Sequence, residues 1–137
     1  FGHRIDHTHP EFLSILGAEV ELLAKKYRHG VVVRPHVIGD YFSVEYAQWW
    51  TGAVEKHKSL HLFGFTHRLR DSDIGRIILK GNENPRVWNR FSDQGGDMRA
   101  NVAGEGIPCP DQTKKTESCL TCGVCWSTTQ PVAFKLH

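Results

Sequence analysis

The chain has 137 residues, of which 39% are hydrophobic and 23% are charged, a balance typical of a folded globular domain rather than of a disordered segment. No apolar run approaches the ~20 residues that a membrane-spanning helix requires. The formal net charge of +2 is too small to indicate a polyanionic partner. We therefore expect a single domain over residues 1–137, with no membrane span and with nucleic acid not favoured as a partner.

The first helix and strand are predicted near the N-terminus. The segment T-H-P-E at Thr8–Glu11 resembles a capping box with proline in the first turn. Apolar residues then recur at helical spacing until Gly30, a plausible end of the helix. The β-branched run Val31–Arg34 predicts a short buried strand that ends near Pro35.

Two further helix–strand pairs follow. Ser43 is expected to cap a second helix, and residues 60–66 to form the next strand. Asp71 or Ser72 opens a third helix that closes at Gly81, and residues 86–91 predict a third strand. Because helices and strands alternate, the connections should be crossovers, and the sheet should be mostly parallel. The predicted class is α/β, with residues 1–93 as a small, partial barrel-like core.

Residues 94–137 have a different composition. Glycines and prolines are frequent, and an apolar helix or strand is not expected before the short run Val132–Phe134, which predicts a last strand. We expect a loop-rich lobe that is held together by its cysteines.

All four cysteines of the chain lie in this lobe, in the pattern C-x9-C-x2-C-x2-C formed by Cys109, Cys119, Cys122 and Cys125. Paired disulfides would be spread over a wider framework, whereas this spacing gathers four sulfurs at one point. The pattern therefore predicts a metal site with these four ligands, and it favours a reducing, cytoplasmic setting.

Two metals compete for this site. The compact C-x2-C-x2-C run, with a distant Cys-Pro at Cys109-Pro110, favours a [4Fe–4S] cluster, although ferredoxins place the distant cysteine last. Tetrahedral Zn²⁺ is the alternative, with Cys119–Cys122 as a knuckle, but structural zinc usually takes two separated pairs.

Polar residues follow each predicted strand. Asp40, His67 and Arg90 are candidates for an acid–base or anion-binding site, because ligands bind at the carboxyl ends of parallel strands. The favoured interpretation is that these residues cap helices and satisfy loop backbone.

A histidine cluster precedes the first helix, and its H-x-H pattern suggests a second metal site. Exposed or loop-bonded side chains are the favoured interpretation, because no distant ligand is evident. The cluster comprises His3, Asp6, His7 and His9.

Four stretches together resemble a group of uncharacterised bacteriophage and prophage proteins. They are Val33–Ser43, Phe63–Thr66, Arg90–Asp93 and the cysteine stretch Cys109–Trp126, which is the most specific. The resemblance implies a viral origin, a partial (β/α) barrel reminiscent of a reduced radical-SAM scaffold, and an iron–sulfur centre. The chain lacks the C-x3-C-x2-C triplet that S-adenosylmethionine chemistry uses.

These observations lead to one expected function and two alternatives. The expected function is that of a phage-encoded iron–sulfur protein in the host cytoplasm, which acts in electron transfer or as a redox-responsive accessory factor with a host or phage protein as partner. The first alternative is an enzyme that uses the strand-end residues and a purely structural metal. The second is a zinc-stabilised module that binds nucleic acid or protein.

Overall fold

The computed structural model describes residues 6–102 and 104–135. Helices span Phe12–Lys26 (α1), Val44–Lys56 (α2), Asp73–Gly81 (α3) and Cys119–Cys122 (α4). Strands span Val31–Val33 (β1), Leu60–Thr66 (β2), Val87–Ser92 (β3), Arg99–Val102 (β4), Ile107–Pro108 (β5) and Val132–Phe134 (β6). Among the described helices, none is both long and apolar enough to cross a membrane.

The strands form a six-stranded sheet in the order β1-β2-β3-β4-β6-β5, and every described pairing is parallel. The sheet curls like half a barrel. The predicted α/β class, with a mostly parallel, partial barrel-like sheet and crossover helices, is confirmed.

One face of the sheet packs against α1, α2 and α3. Because side chains alternate along a strand, Leu60, Leu62, Gly64 and Thr66 of β2 all lie on this face and are buried. Leu60 and Leu62 pack in a core with Val20 of α1 and with the other buried residues of the helices and β3. That core includes Tyr46, Trp50, Val54, Ile78, Val87 and Phe91.

The opposite face of the sheet packs against the cysteine lobe. Phe63 of β2 contacts Trp126 with ring centroids 4.7 Å apart, and Phe65 contacts Phe134 at 5.6 Å. Arg90 of β3 pairs with Phe65 in the register and therefore lies on the same face. The helices thus lie on one face of β2 and β3, and the aromatic contacts with the lobe lie on the other.

The lobe contains two short strands that the sequence did not predict, β4 and β5. β4 returns beside β3 after only the loop 93–98, in which Asp93, Gly96 and Met98 have positive φ values of 53°, 89° and 52°. These left-handed residues allow a tight loop that brings β4 beside β3 in the same direction without a crossover helix. The lobe is therefore part of the same sheet as the core.

The expected capping box at Thr8–Glu11 is wrong. The Asp6 carboxylate accepts hydrogen bonds from the Thr8 backbone N–H at 2.9 Å and from its hydroxyl at 2.7 Å, so Thr8 closes a turn before the helix. α1 begins after Glu11 with no side-chain cap. The predicted caps at Ser43 and Ser72 are confirmed, since each hydroxyl accepts a backbone N–H bond at 3.1 Å.

Candidate metal centre

The four cysteines come from two segments of the lobe. Cys109 follows β5, and its backbone N–H donates to the Ala133 carbonyl of β6 at 2.8 Å. Cys119 and Cys122 begin and end the single helical turn α4, and Cys125 lies in the 3₁₀ turn Val124–Trp126. Strand pairing therefore fixes the first cysteine, and two consecutive turns carry the other three.

The local sequence explains the shape of these turns. The Ser118 hydroxyl accepts the Thr121 backbone N–H at 3.3 Å, and the Thr121 hydroxyl accepts the Ser118 N–H at 3.2 Å, which closes a capping box. Gly123 ends the turn with φ of 66°, a left-handed conformation that disfavours a side chain. This reversal lets Cys125 turn back toward Cys119 and Cys122.

All four cysteines line one small cavity of about 20 Å³. Val124, Trp126 and Val132 supply its apolar walls. All four cysteines are free thiols; Cys109 is buried, Cys122 and Cys125 are half-buried, and Cys119 is exposed. The structure thus brings together the four sulfurs that the sequence predicted as ligands.

The thiols do not form a ready coordination shell. In the described part of the chain, no group of three or more His, Cys, Asp or Glu side chains is placed to hold a metal ion. The cavity is also about the size of a single water molecule. The four cysteines therefore lie around one cavity, but their side chains do not point to a common metal position. A bound group would require these side chains to rearrange.

Two of the thiols, Cys119 and Cys125, favour the protonated state in this arrangement. Burial raises the pKa of the Cys125 thiol to about 11, and the nearby Arg90 opposes that rise. Burial also raises the pKa of Cys119, to which Asp111, Cys109 and Cys122 add, whereas Arg34 opposes the rise. A thiolate-binding metal would have to displace these protons, so its affinity should increase with pH.

Arg90 clamps the lobe to the sheet. Its side chain is fully buried, and Nε donates to the Cys125 carbonyl at 3.1 Å. The two terminal nitrogens donate to four further carbonyls. These belong to Arg99, Gln130, Val124 and Thr128. Arg90 was considered above as a catalytic candidate, but its donors are committed to backbone carbonyls.

Asp40 and His67, the other two catalytic candidates, meet in a loop network. The Asp40 carboxylate accepts hydrogen bonds from the Tyr41 N–H at 2.7 Å, the Thr66 hydroxyl at 2.8 Å and the His67 backbone N–H at 2.8 Å. The His67 side chain itself is exposed. Thr66 and Arg90 point to opposite faces of the sheet, because Thr66 pairs with Phe91 and Arg90 with Phe65. The three candidates therefore do not share one site.

The histidine cluster near the N-terminus is partly described. His3 lies outside the described residues. Asp6 binds Thr8, and His9 Nδ1 accepts the Glu11 N–H at 3.1 Å, while the His7 ring packs against Phe42 at 4.9 Å. These residues form local turns, as the favoured interpretation expected.

Arg34 and the aromatic contact at Trp126 belong to the site but were not identified from the sequence. The Arg34 guanidinium lies 5.1 Å from the Phe65 ring and near enough to Cys119 to affect its pKa. No sequence signal marks this contact, because it depends on the sheet bringing β1 beside the lobe.

Comparison with protein-family models, with curated proteins and with solved structures finds no match to this chain.

Proposed function

We propose that the chain is an iron–sulfur protein in which Cys109, Cys119, Cys122 and Cys125 bind one [4Fe–4S] cluster. The observation that carries the proposal is that all four thiols line one cavity, although they come from two separate segments of the lobe. The compact run Cys119–Cys125 supplies three sulfurs from consecutive turns, which suits a group with several metal atoms better than a single ion.

The donor set fits such a group in chemistry and in charge. Four thiolates around iron carry negative charge, and Arg34 and Arg90 lie close enough to Cys119 and Cys125 to favour their thiolate forms. Trp126 lines the cavity and restricts access of water from one side. The cavity is small, so the exposed α4 turn would have to move outward as the group binds.

The proposed role is electron transfer or a redox-responsive accessory function. A cluster of this type supplies one-electron chemistry, and four protein ligands leave no iron free to bind substrate. Cys119 is exposed, and the adjacent Leu120 is 81% exposed, so the site lies at the surface where a host or phage protein partner can approach. Free thiols and a cluster both suit a reducing compartment, which is the host cytoplasm if the phage resemblance holds.

The first experiment measures iron, acid-labile sulfide and zinc in protein purified without oxygen, together with the visible spectrum. We expect about four iron and four sulfide per chain, as the cubane requires, and a brown colour. Colourless protein with one zinc would overturn the cluster but keep the four-cysteine site. Protein that binds neither metal under reducing conditions at pH 8 would overturn the metal centre altogether.

A second experiment separates a carrier from a structural centre. A carrier should show a reversible one-electron couple in an anaerobic redox titration, and Arg34→Gln should shift its midpoint to a more negative potential, because removing a nearby cation disfavours the more reduced state. Arg28→Gln, which changes an exposed arginine beyond the end of α1, is the matched control. Bleaching on reduction or oxidation would rule out the carrier role.

One observation favours zinc as the second candidate. The cavity is of single-atom size, and the turn Cys119–Cys122 followed by left-handed Gly123 resembles a zinc knuckle. A zinc centre would make the lobe a binding module held by a structural metal. The metal analysis above decides between the two candidates.

A further inference from the structure

A second, much larger cavity lies away from the cysteines. It has a volume of about 820 Å³ and opens at the carboxyl end of β1, between the loop 35–42 and the first turns of α1 and α2. No residue lines both this cavity and the cysteine cavity. Small-molecule sites typically have volumes of about 300–1,000 Å³, and in parallel sheets they occur at this end of the strands.

One wall of this cavity is aromatic and flat. The rings of Phe42 and Tyr46 stack with centroids 4.4 Å apart and an interplanar angle of 19°, and Phe12 meets Phe42 edge-on at 5.9 Å. Phe42 is 40% exposed even though it belongs to this stack. The His7 ring also contacts Phe42, with centroids 4.9 Å apart, so a further planar group would pack on the part of Phe42 that remains exposed.

The mouth of the cavity carries two adjacent apolar side chains. Val37 is 80% exposed and Ile38 is 76% exposed, and both line the cavity. Neighbouring exposed β-branched residues of this kind cost free energy in water unless they are covered for part of the time. A ligand with an apolar body would cover them.

Among the polar groups that line the cavity, the Arg68 guanidinium can still bind a ligand. Arg68 Nε donates to the Tyr41 carbonyl at 2.7 Å, which fixes the guanidinium, whereas its terminal nitrogens have no hydrogen-bond or ion-pair partner among the described residues. Asp40 also lines the cavity, but its two oxygens already accept three hydrogen bonds. The available charge is therefore positive and preorganised to meet a carboxylate.

Trp50 also forms part of the cavity wall. Its side chain is 2% exposed and lines the cavity. Its Nε1–H has no partner of good geometry among the described residues, but it interacts with the Tyr46 hydroxyl and lowers the pKa of that group against the rise caused by burial. The indole therefore contributes an apolar surface to the cavity.

From these features we propose that the cavity binds a small aromatic carboxylate. Its ring would pack against the exposed part of Phe42, and its carboxylate would accept hydrogen bonds from the terminal nitrogens of Arg68. The positive charge of Arg68 disfavours an organic cation as the ligand. For the same reason, the cavity should bind an anion more tightly than a neutral molecule of the same shape. The site is independent of the proposed metal centre.

Calorimetric titration of the full chain with three naphthalene probes tests the proposal. We expect 1-naphthoate to bind with a stoichiometry of one, and to bind at least tenfold more tightly than 1-naphthalenemethanol or 1-naphthylmethylammonium. Arg68→Gln should remove the preference for the carboxylate, whereas Arg76→Gln, which changes an exposed arginine on α3, should keep it. Undetectable binding of 1-naphthoate, or equal binding of the neutral probe by the unaltered chain, would overturn the proposal.

A second variant guards against a folding defect in Arg68→Gln. Ile38→Asp places a carboxylate at the mouth on a side chain that is already exposed, so the fold should be unaffected. We expect it to weaken 1-naphthoate binding about tenfold more than binding of the alcohol, because the loss of the apolar contact affects both probes whereas the added carboxylate repels only the anion; the melting temperature is the check on folding. Unchanged affinity for 1-naphthoate in both folded variants would also overturn the proposal.

Discussion

The most consequential single residue is Arg90, because one buried cation holds backbone from three separate parts of the chain. Its guanidinium bonds carbonyls on β4, on the 3₁₀ turn and in the segment before β6. A buried charge is tolerated when its donors are satisfied in this way. Arg90 therefore holds the end of β3 against the cysteine turns through hydrogen bonds. Its position is explained by this structural role rather than by a catalytic one.

Replacing Arg90 should destabilise the chain and loosen the lobe first. Arg90→Gln leaves several buried carbonyls without donors, and we expect a loss of about 3 kcal/mol or more in the free energy of unfolding. Urea denaturation measures the loss, and limited proteolysis should cut within residues 110–130. Arg76→Gln, at an exposed side chain, should change stability by less than about 0.5 kcal/mol. Equal proteolysis of the two variants would contradict the clamp.

His36 should make stability depend on pH. Burial lowers the pKa of His36, the nearby Asp40 opposes this, and Nε2 lies 3.1 Å from the Tyr46 hydroxyl. The folded chain thus holds this proton less tightly than the unfolded chain, whose histidines titrate near ~6.5. Stability is therefore full above that pH and falls as the pH drops through it toward the lowered folded pKa.

The measurement is the melting temperature between pH 7.5 and pH 5. We expect it to fall less steeply in His36→Asn than in the unaltered chain, and part of the slope should persist because burial also lowers the pKa of His61. His67→Asn, at an exposed ring, should keep the original slope. A slope in His36→Asn as steep as in the original chain would show that His36 does not carry the effect.

At the scale of elements, three serine or threonine residues predicted as caps separate into two kinds. Ser43 and Ser72 each accept a helix N–H bond, so Ser43→Ala and Ser72→Ala should each lose about 1 kcal/mol. Thr8 bonds only to Asp6 ahead of α1, so Thr8→Ala should lose less than about 0.5 kcal/mol. Chemical denaturation compares the free energies of unfolding of the three variants. An equal loss of stability in Thr8→Ala would indicate that Thr8 does cap α1.

The sequence predicted α1, α2, α3 and the first three strands well because each carries its own local signal, whereas the single turn α4 was expected to be loop. β1 and β2 are runs of apolar residues, and α2 and α3 have serine caps with apolar spacing. β4, Arg99–Val102, and β5, Ile107–Pro108, have no comparable signal. They are strands because the left-handed loop and the pairing with β3 and β6 place them in the sheet.

At the scale of the whole molecule, the candidate metal centre also combines features that have a local sequence signal with features that depend on the fold. Cysteine spacing predicted that four sulfurs meet at one metal, and this stays a prediction: the four cysteines line one cavity, but no group of three or more ligand side chains in the described part of the chain is placed to hold a metal ion. The neighbours that shape the site, Arg34, Arg90 and Phe63, come from the end of β1, from β3 and from β2, so no local pattern could identify their contacts with the cysteine turns. The strand-end residues looked like one site in sequence, but strand alternation sends Arg90 to the face opposite Thr66.

The stability of the lobe should depend on its ligands more than on its apolar packing. The turns between Cys109 and Trp126 contain one buried residue among those described, Cys109 itself, so a bound metal would supply much of their folding free energy. Cys122→Ser should therefore lose the metal and make residues 104–130 sensitive to protease, while the helix layer stays folded. Leu120→Ser changes an 81% exposed side chain between Cys119 and Cys122, and this variant should keep the full metal content. Metal analysis and timed proteolysis compare the two variants, and full metal content with unchanged protease resistance in Cys122→Ser would refute the four-cysteine centre.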